Sequence, residues 1–174
     1  MSIFNKKDYE TSDGIQSSIF GPPSWFVLHV TSFNYPVKPT KDDKDHYKTW
    51  LLSYRYTLPC LYCRQNFVTN LKNAGFCDSV FKNRDTFSRF IYKLHNCVNK
   101  MLGKTIKISY NEVRDRYENF RSRCGKDDIN KKAKEKSCST SLYGKKSKCI
   151  INIVPKSSKK NNFKVDPKCL SKTQ

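Results

Sequence analysis

The sequence has little acidic charge, little glycine and no long apolar run. Its 174 residues contain 15 Asp and Glu against 34 Lys and Arg, and only six glycines. No stretch of about 18 consecutive apolar residues occurs, which excludes a membrane-spanning helix from the interpretation. The first 14 residues lack a charged region followed by an apolar one, so we expect no secretory signal and a chain that is not secreted.

What the sequence does have is eight cysteines and a net charge of +19. The length fits one domain of ordinary size plus a tail. In a compartment that keeps thiols reduced, cysteines more often bind metal or take part in redox chemistry than staple a fold. The sequence therefore points to a metal site or a redox-active site in a basic protein that stays inside the cell.

The composition changes near residue 124. The last fifty residues, 125–174, contain 14 Lys, no Arg and four acidic residues, with few large apolar side chains. Such a segment buries too little apolar surface to offset its ordering entropy. We therefore predict an N-terminal extension over 1–14, a folded domain over 15–124, and a mostly disordered basic tail with a short strand around 150–154.

Apolar residues at helical spacing predict an all-α fold for the folded domain, with four substantial helices and a short fifth. The predicted helices begin just after Pro23, after an Asp42 or Asp43 cap, at Cys60, after an Asn83 or Asp85 cap, and near Asn111. Pro59 requires the second helix to stop near Leu58, and Gly103 ends the fourth. The fourth helix should bury Phe87, Phe90, Ile91, Leu94, Val98, Met101 and Leu102.

The sharpest chemical feature is Cys60-Leu-Tyr-Cys63, which directly follows Pro59. The first cysteine falls at a helix N-terminus, where unpaired backbone N–H groups and the helix dipole stabilise a thiolate. Two cysteines three residues apart on a starting helix face the same side and can form a reversible disulfide. Half of a zinc site is the alternative, but no second C-x-x-C and no paired histidines supply the other two ligands. The spacing favours redox chemistry over zinc.

A second group lies near the end of the fourth helix. His95 and Asn99 are four residues apart and share one face, with Lys104 shortly after them, so this surface can hold a polar heteroaromatic ligand and its phosphates. Trp25 and His29 form a similar pair on the first helix. Taken singly, each pair is more often a structural feature of a helix than a binding site.

Five short motifs occur in order along the folded domain. They are Gly21-Pro-Pro-Ser-Trp-Phe-Val-Leu-His29, Asn34-Tyr-Pro-Val-Lys-Pro-Thr40, Pro59-Cys-Leu-Tyr-Cys63 with Phe67, Asn83-Arg84, and His95-Asn-Cys-Val-Asn99 with Leu102-Gly-Lys104. Together they resemble the Erv/ALR family of flavin-linked sulfhydryl oxidases over about residues 15–124. The Lys-, Asn- and Tyr-rich composition is similar to that of members encoded by large cytoplasmic DNA viruses.

The resemblance implies a helical bundle that holds FAD and oxidises the thiols of substrate proteins, with dioxygen as acceptor and hydrogen peroxide as product. It implies that Cys63 is the sulfur next to the flavin and Cys60 the sulfur attacked by an incoming thiolate. Positions that line the family's FAD site are matched here by Trp25, His29, His95, Asn96, Val98, Asn99 and Lys104. Tyr117 stands where the family has an aromatic residue, commonly Trp, that closes over the cofactor.

The sequence also departs from the family pattern. A structural disulfide of the family is lost as a unit, because its two positions are Tyr92 and Ser109 here. Packing of the fourth helix must replace that bond. Leu58 stands where the family usually has an aromatic residue, just before the Pro-Cys pair.

The remaining features leave alternatives open. The resemblance implies a homodimer formed through the first two helices, and a viral member would work in the host cytoplasm, at the viral factory, or in the virion. The tail favours at most weak, nonspecific contact with nucleic acid, since it has no Arg and only Tyr143 and Phe163 for stacking. The other six cysteines, Cys77, Cys97, Cys124, Cys138, Cys149 and Cys169, could form bonds, stay buried or, in the tail, act as a thiol shuttle. A zinc-containing or nucleic-acid-binding module without catalysis is the alternative function.

Overall fold

The computed structural model describes residues 5–105, 107–123, 138, 140–160 and 163–170. The α-helices are α1 Lys6–Tyr9, α2 Ser17–Phe33, α3 Lys41–Thr57, α4 Leu61–Asn73, α5 Arg84–Met101 and α6 Tyr110–Glu118. The other elements are two 3-10 helices, Asp78–Phe81 and Pro167–Cys169, and two short strands, β1 Ser122–Arg123 and β2 Thr140–Ser141. The all-α prediction of four substantial helices and a short further one is confirmed. No helix within these residues has the length and apolar character needed to cross a membrane.

Helix α2 begins before the two prolines, which corrects the predicted start. It starts at Ser17 and includes Pro22 and Pro23. A proline removes its own N–H from the helical ladder, but the turn that precedes it can still form if its first N–H groups find acceptors. Here the N–H of Ile19 donates to the C=O of Gln16 at 2.9 Å. The helix start predicted from Pro22 and Pro23 is therefore several residues too late.

The cap of α3 is Thr40, and the predicted Asp42 or Asp43 cap is wrong. The Thr40 hydroxyl accepts from the N–H of Asp43 at 3.1 Å, and the Asp43 carboxylate accepts from the N–H of Thr40 at 2.8 Å. This reciprocal pair is a capping box, in which Asp43 is the third helical residue rather than the cap. The helix ends at Thr57, two residues before Pro59, as predicted.

Both ends of α5 follow the prediction. Asn83 caps its start, and Gly103 follows its end with a positive φ of 65°. The N–H of Gly103 donates to the C=O of Lys100 at 3.0 Å, and the N–H of Lys104 donates to the C=O of Asn99 at 2.9 Å. These two bonds form the Schellman motif. The motif fixes the backbone of Lys104 directly beyond the last turn of the helix.

Helices α2, α3, α4 and α5 contribute to one hydrophobic core. The predicted inner face of α5 is buried at Phe87, Phe90, Ile91 and Leu94. This packing fixes α5 against the neighbouring helices. Met101 and Leu102 are 49% and 57% exposed, so the prediction that they are buried is wrong. Amphipathic spacing identifies the inner face of a helix but not where its neighbours end.

The chain divides into two compact units between Lys107 and Ile108. In the second unit, Ser109 and Glu112 form a capping box at the start of α6, which ends at Glu118. Strands β1 and β2 pair antiparallel, with Ser122 opposite Ser141. The domain limits predicted above, at 14/15 and 124/125, stay predictions.

The strand predicted around residues 150–154 does not form. These residues carry no strand pairing, and Ile150 and Ile153 are 67% and 71% exposed. A short apolar run becomes a strand only where a neighbouring backbone edge accepts its hydrogen bonds. The predicted disorder of the tail stays a prediction, because much of it, including 125–137, lies outside the described residues.

The cysteines fall into different states. Six of them are free thiols, namely Cys60, Cys63, Cys77, Cys97, Cys149 and Cys169. Cys138 is disulfide-bonded. Cys77 and Cys149 are exposed, whereas Cys97 and Cys169 are half-buried. The alternatives predicted for Cys124 lie outside the described residues.

Candidate active site

The C-x-x-C motif forms the start of α4, as predicted. Cys60 is the N-cap, with φ −157° and ψ 122°, and its sulfur accepts a hydrogen bond from the N–H of Cys63 at 3.2 Å. Pro59 cannot continue the preceding helix, so the chain turns and presents Cys60 at the first turn of the next one. Both cysteines are half-buried. The motif is therefore held by helix capping and remains within reach of solvent.

The second thiol of the motif resists ionisation. Burial raises the pKa of Cys63 to about 11, the hydrogen bond with Cys60 and its nearby sulfur act in the same direction, and the positive charge of Arg64 opposes them. At neutral pH Cys63 therefore keeps its proton in the reduced pair. The raised pKa follows from loss of solvation around the thiol, which disfavours its charged form.

Sequence reasoning missed a segment that lies against this motif. Gly14 and Cys60 form an antiparallel bridge, in which the N–H of Ile15 donates to the C=O of Pro59 at 2.7 Å and the N–H of Leu61 donates to the C=O of Asp13 at 3.0 Å. The dipeptide Asp13-Gly14 is a turn signal that marks an irregular segment. Nothing in its local pattern identifies the distant partner.

Trp25, His29 and His95 form one aromatic cluster between α2 and α5. The rings of Trp25 and His95 are stacked, with centroids 4.0 Å apart and planes 6° apart. His29 Nε2 lies 3.1 Å from His95 Nδ1. Since two ring nitrogens share one hydrogen bond, one of them donates and the other accepts. The structure thus brings together two pairs that the sequence presented on separate helices.

Both imidazoles of the cluster are neutral at physiological pH. Burial, followed by the proximity of His95, lowers the pKa of His29 to about 3. Burial, followed by the positive charge of Lys104, lowers the pKa of His95 to about 4. Neutral imidazoles offer both a donor and an acceptor nitrogen, which suits the edge of a heteroaromatic ligand.

The other predicted cofactor residues of the first unit lie along or just beyond the end of α5. Asn96, Val98 and Asn99 are half-buried, with Asn99 one turn after His95. Lys104, whose N–H completes the Schellman motif, is exposed, and its positive charge lowers the pKa of His95. This end of the bundle therefore combines planar rings, carboxamides and a cation.

Tyr117 lies on α6, in the second compact unit. Its ring packs at an edge against Phe120, with centroids 6.2 Å apart, and stacks on Phe163, also at 6.2 Å. The guanidinium of Arg116 lies 5.3 Å from the centroid of the Phe163 ring. Burial raises the pKa of Tyr117 to about 12, so its hydroxyl stays protonated. Tyr117 is part of an aromatic group within its own unit.

Metal ligation was the other chemistry that the cysteines could support. In the part of the chain that the structure describes, no three or more His, Cys, Asp or Glu side chains are grouped so that they could hold a metal ion. Cys60 and Cys63 form a dithiol pair, and His29 and His95 form an imidazole pair.

A helical unit with a C-x-x-C motif at a helix start is typical of a class of redox proteins. The chain belongs to the Erv1/Alr family, whose model matches residues 22–118. The match covers all of α3, α4, α5 and α6 and most of α2. The family predicted from the ordered motifs is confirmed.

The relatives include viral and cellular proteins. A probable FAD-linked sulfhydryl oxidase of Acanthamoeba polyphaga mimivirus is 36% identical over 98 residues, which is 56% of this chain and 66% of that protein. A putative FAD-linked sulfhydryl oxidase of Invertebrate iridescent virus 6 is 30% identical over 53% of this chain and 86% of its own length. The crystal structure of the FAD-binding domain of Erv1 from Saccharomyces cerevisiae matches with a TM-score of 0.53 and 27% identity, over 59% of this chain and 94% of that one.

The candidate site residues of the first unit lie within the region that matches the family. The matched region contains both members of the C-x-x-C motif and the Trp25, His29 and His95 cluster. The viral relatives agree with the predicted resemblance to viral members of the family. The individual roles of the site residues stay predictions.

Proposed function

We propose that this chain is a FAD-dependent thiol oxidase that introduces disulfide bonds into substrate proteins and uses dioxygen as electron acceptor, with hydrogen peroxide as product. The observation that carries the proposal is the half-buried Cys60 and Cys63 pair at the start of α4, in the same compact unit as the cluster of Trp25, His29 and His95. The relatives named as FAD-linked sulfhydryl oxidases support it.

The residues present fit FAD. A stacked indole and imidazole offer flat surfaces for a ring system, and two neutral imidazoles offer hydrogen bonds at its edge. Lys104 offers positive charge for a pyrophosphate. We assign the binding of FAD to Trp25, His29, His95, Asn96, Val98, Asn99 and Lys104. The family resemblance adds Tyr117 as a further FAD-binding residue, and this role stays a prediction. When bound, FAD supplies the two-electron chemistry that links thiol oxidation to dioxygen.

The chain's own cysteines perform the exchange with substrate. A substrate thiolate attacks Sγ of Cys60 in the oxidised pair, the Cys60–Cys63 bond breaks, and Cys63 leaves as a thiolate. A second substrate thiolate then attacks the substrate sulfur of the mixed disulfide and releases Cys60 as a thiolate. The substrate gains one disulfide, and the Cys60–Cys63 pair has gained two electrons.

The same geometry supports different tasks for the two sulfurs. The N–H of Cys63 reaches the sulfur of Cys60 at 3.2 Å, which helps to hold negative charge there when Cys60 is released. Burial and the hydrogen bond with Cys60 favour the protonated form of Cys63. Arg64, the next residue, supplies the opposing positive charge when Cys63 must leave as an anion.

Finer features of the proposal come from the family and the composition. We propose a homodimer formed through α2 and α3, action in the host cytoplasm, at the viral factory or in the virion, and weak nonspecific contact of the basic tail with nucleic acid. Exposed Ile19, Val27 and Val30 on α2 support the dimer. Sedimentation of the protein alone at several concentrations tests the dimer. Sedimentation with added nucleic acid at low and high salt tests the contact of the tail.

The activity test compares two cysteine variants. Cys63→Ser should leave the purified protein yellow, because the ring cluster is untouched, yet abolish oxygen consumption with dithiothreitol. Cys77→Ser is the matched control, since Cys77 is a free and exposed cysteine outside the motif. Its oxygen consumption should equal that of the unsubstituted protein.

Two results would contradict the proposed function. Undiminished turnover in Cys63→Ser would remove the C-x-x-C pair from the reaction. A colourless protein that contains stoichiometric zinc would support a binding module instead. An absorbance spectrum and a zinc determination on the same sample separate these outcomes.

A further inference from the structure

Main-chain groups on both sides of the Cys60 sulfur make hydrogen bonds within the chain. The C=O of Pro59 accepts from Ile15, and the N–H of Leu61 donates to Asp13. The N–H of Cys60 itself donates to the C=O of Leu58 at 2.8 Å. Residues on both sides of the sulfur proposed to be attacked are therefore held in place.

Residues 12–15 provide the partners of two of these three hydrogen bonds and form a strap over the motif. Its centre is Gly14, whose φ of 115° lies in a region that side chains rarely adopt. A Cβ at this position would lie 2.4 Å from the carbonyl oxygen of Pro59. Only glycine allows the strap to approach the C-x-x-C loop this closely.

Arg64 fastens the strap to the loop. Its guanidinium donates to the C=O of Leu58 at 2.6 Å and to the C=O of Ser12 at 3.3 Å. The positive charge of the same side chain opposes the rise in the pKa of Cys63. One residue thus links the strap, the turn before the motif and the second sulfur.

We propose that the strap 12–15, through Gly14 and the clasp of Arg64, is a positioning element that orients Cys60 for attack by substrate thiolate. Thiol–disulfide exchange needs the attacking sulfur in line with the bond that breaks, so a fixed backbone at Cys60 raises the fraction of productive encounters. This inference rests on the proposed thiol oxidase function. It adds residues outside the C-x-x-C motif and the ring cluster to that function.

The test measures the exchange step directly in the full-length chain. The oxidised protein is mixed with dithiothreitol, quenched with an alkylating agent, and the alkylation of Cys60 and Cys63 is followed by peptide mass spectrometry. This readout does not depend on oxygen consumption. If the unsubstituted protein exchanges thiols but consumes no oxygen, the proposed oxidase function fails while the strap can still be tested.

Gly14→Ala and Gly75→Ala form a matched pair. Both place a side chain at a positive φ, but Gly75 has open space around a new Cβ, whereas Gly14 has the Pro59 carbonyl. We expect exchange in Gly14→Ala to slow by at least about fivefold, because orientation is lost. Gly75→Ala should stay within about twofold of the unsubstituted protein, because it is strained without touching the motif. Circular dichroism checks that both variants are folded.

Arg64→Lys separates the clasp from the charge. Lysine keeps the positive charge beside Cys63 but loses the two-pronged guanidinium, so exchange should slow here too. If both residues act through the strap, the double variant Gly14→Ala/Arg64→Lys should be no slower than the slower single variant. Three results would each overturn the proposal. They are normal exchange in Gly14→Ala, additive effects in the double variant, and faster exchange in Gly14→Ala, which would mean that the strap shields Cys60.

Discussion

Acidification should destabilise the bundle through the His29 and His95 pair. The pKa of His29 is about 3 and that of His95 about 4 in the folded chain, against 6.5 for an unperturbed imidazole. Both folded values are lowered, so stability is complete above pH 6.5 and is lost as the pH falls from 6.5 towards 4 and 3. The unfolded chain binds protons in this range that the folded chain excludes.

The size of the effect follows from these values. At pH 5.0, each imidazole of the unfolded chain is 1.5 pH units below its pKa of 6.5, while both are still largely neutral in the fold. At about 1.4 kcal/mol per unit this is about 2 kcal/mol for each imidazole, and about 4 kcal/mol for the pair. Urea unfolding at pH 7.5 and 5.0, followed by tryptophan fluorescence, measures the difference.

Two variants isolate the pair from other titrating groups. His29→Gln keeps a hydrogen-bonding side chain but does not titrate, so it should remove about half of the pH effect. His46→Gln is the control, because His46 is exposed on α3, and its pH dependence should match that of the unsubstituted protein. If His29→Gln loses as much stability between pH 7.5 and 5.0 as the unsubstituted protein does, the buried imidazoles are not the cause.

Two further predictions concern the scaffold. Leu94→Ala removes a fully buried side chain of α5 and should lower the free energy of unfolding by about 2–5 kcal/mol, whereas Met101→Ala, at a half-exposed position, should cost far less; equal losses in urea unfolding would refute the described inner face. Thr40→Ala removes the cap of α3 and should cost about 1 kcal/mol, with Asp42→Ala as the control outside the capping box. An equal or larger loss in Asp42→Ala would restore the cap originally predicted from the sequence.

Local chemistry explains what could be predicted. Pro59 followed by Cys60 places a helix start at the motif, and Gly103 places a helix end, because both residues limit the backbone within one or two positions. The same reasoning failed at the start of α2, where Gln16 accepts the hydrogen bond that lets the helix begin before its prolines. It also failed at residues 150–154, where an apolar run found no partner edge.

In the candidate site too, the sequence predicted pairs on one helix but not the contacts between helices. The sequence identified Trp25 with His29 as one pair and His95 with Asn99 as another, since each pair follows helical spacing. It did not reveal that Trp25 stacks on His95, or that two imidazoles 66 residues apart share a hydrogen bond. Arg64 carried no sequence signal at all, because its partners at Leu58 and Ser12 meet only through the fold.

By itself, the sequence determined the helical class, the family and the placement of the C-x-x-C motif at a helix start. These depend on interactions between residues within about one helical turn, where spacing and the restraints of proline and glycine decide the outcome. Only the tertiary structure decided that the imidazoles are buried and neutral, that Met101 emerges from the core, and that the strap 12–15 closes on Cys60. These features depend on which distant surfaces meet, and burial and main-chain pairing exist only after the helices have packed.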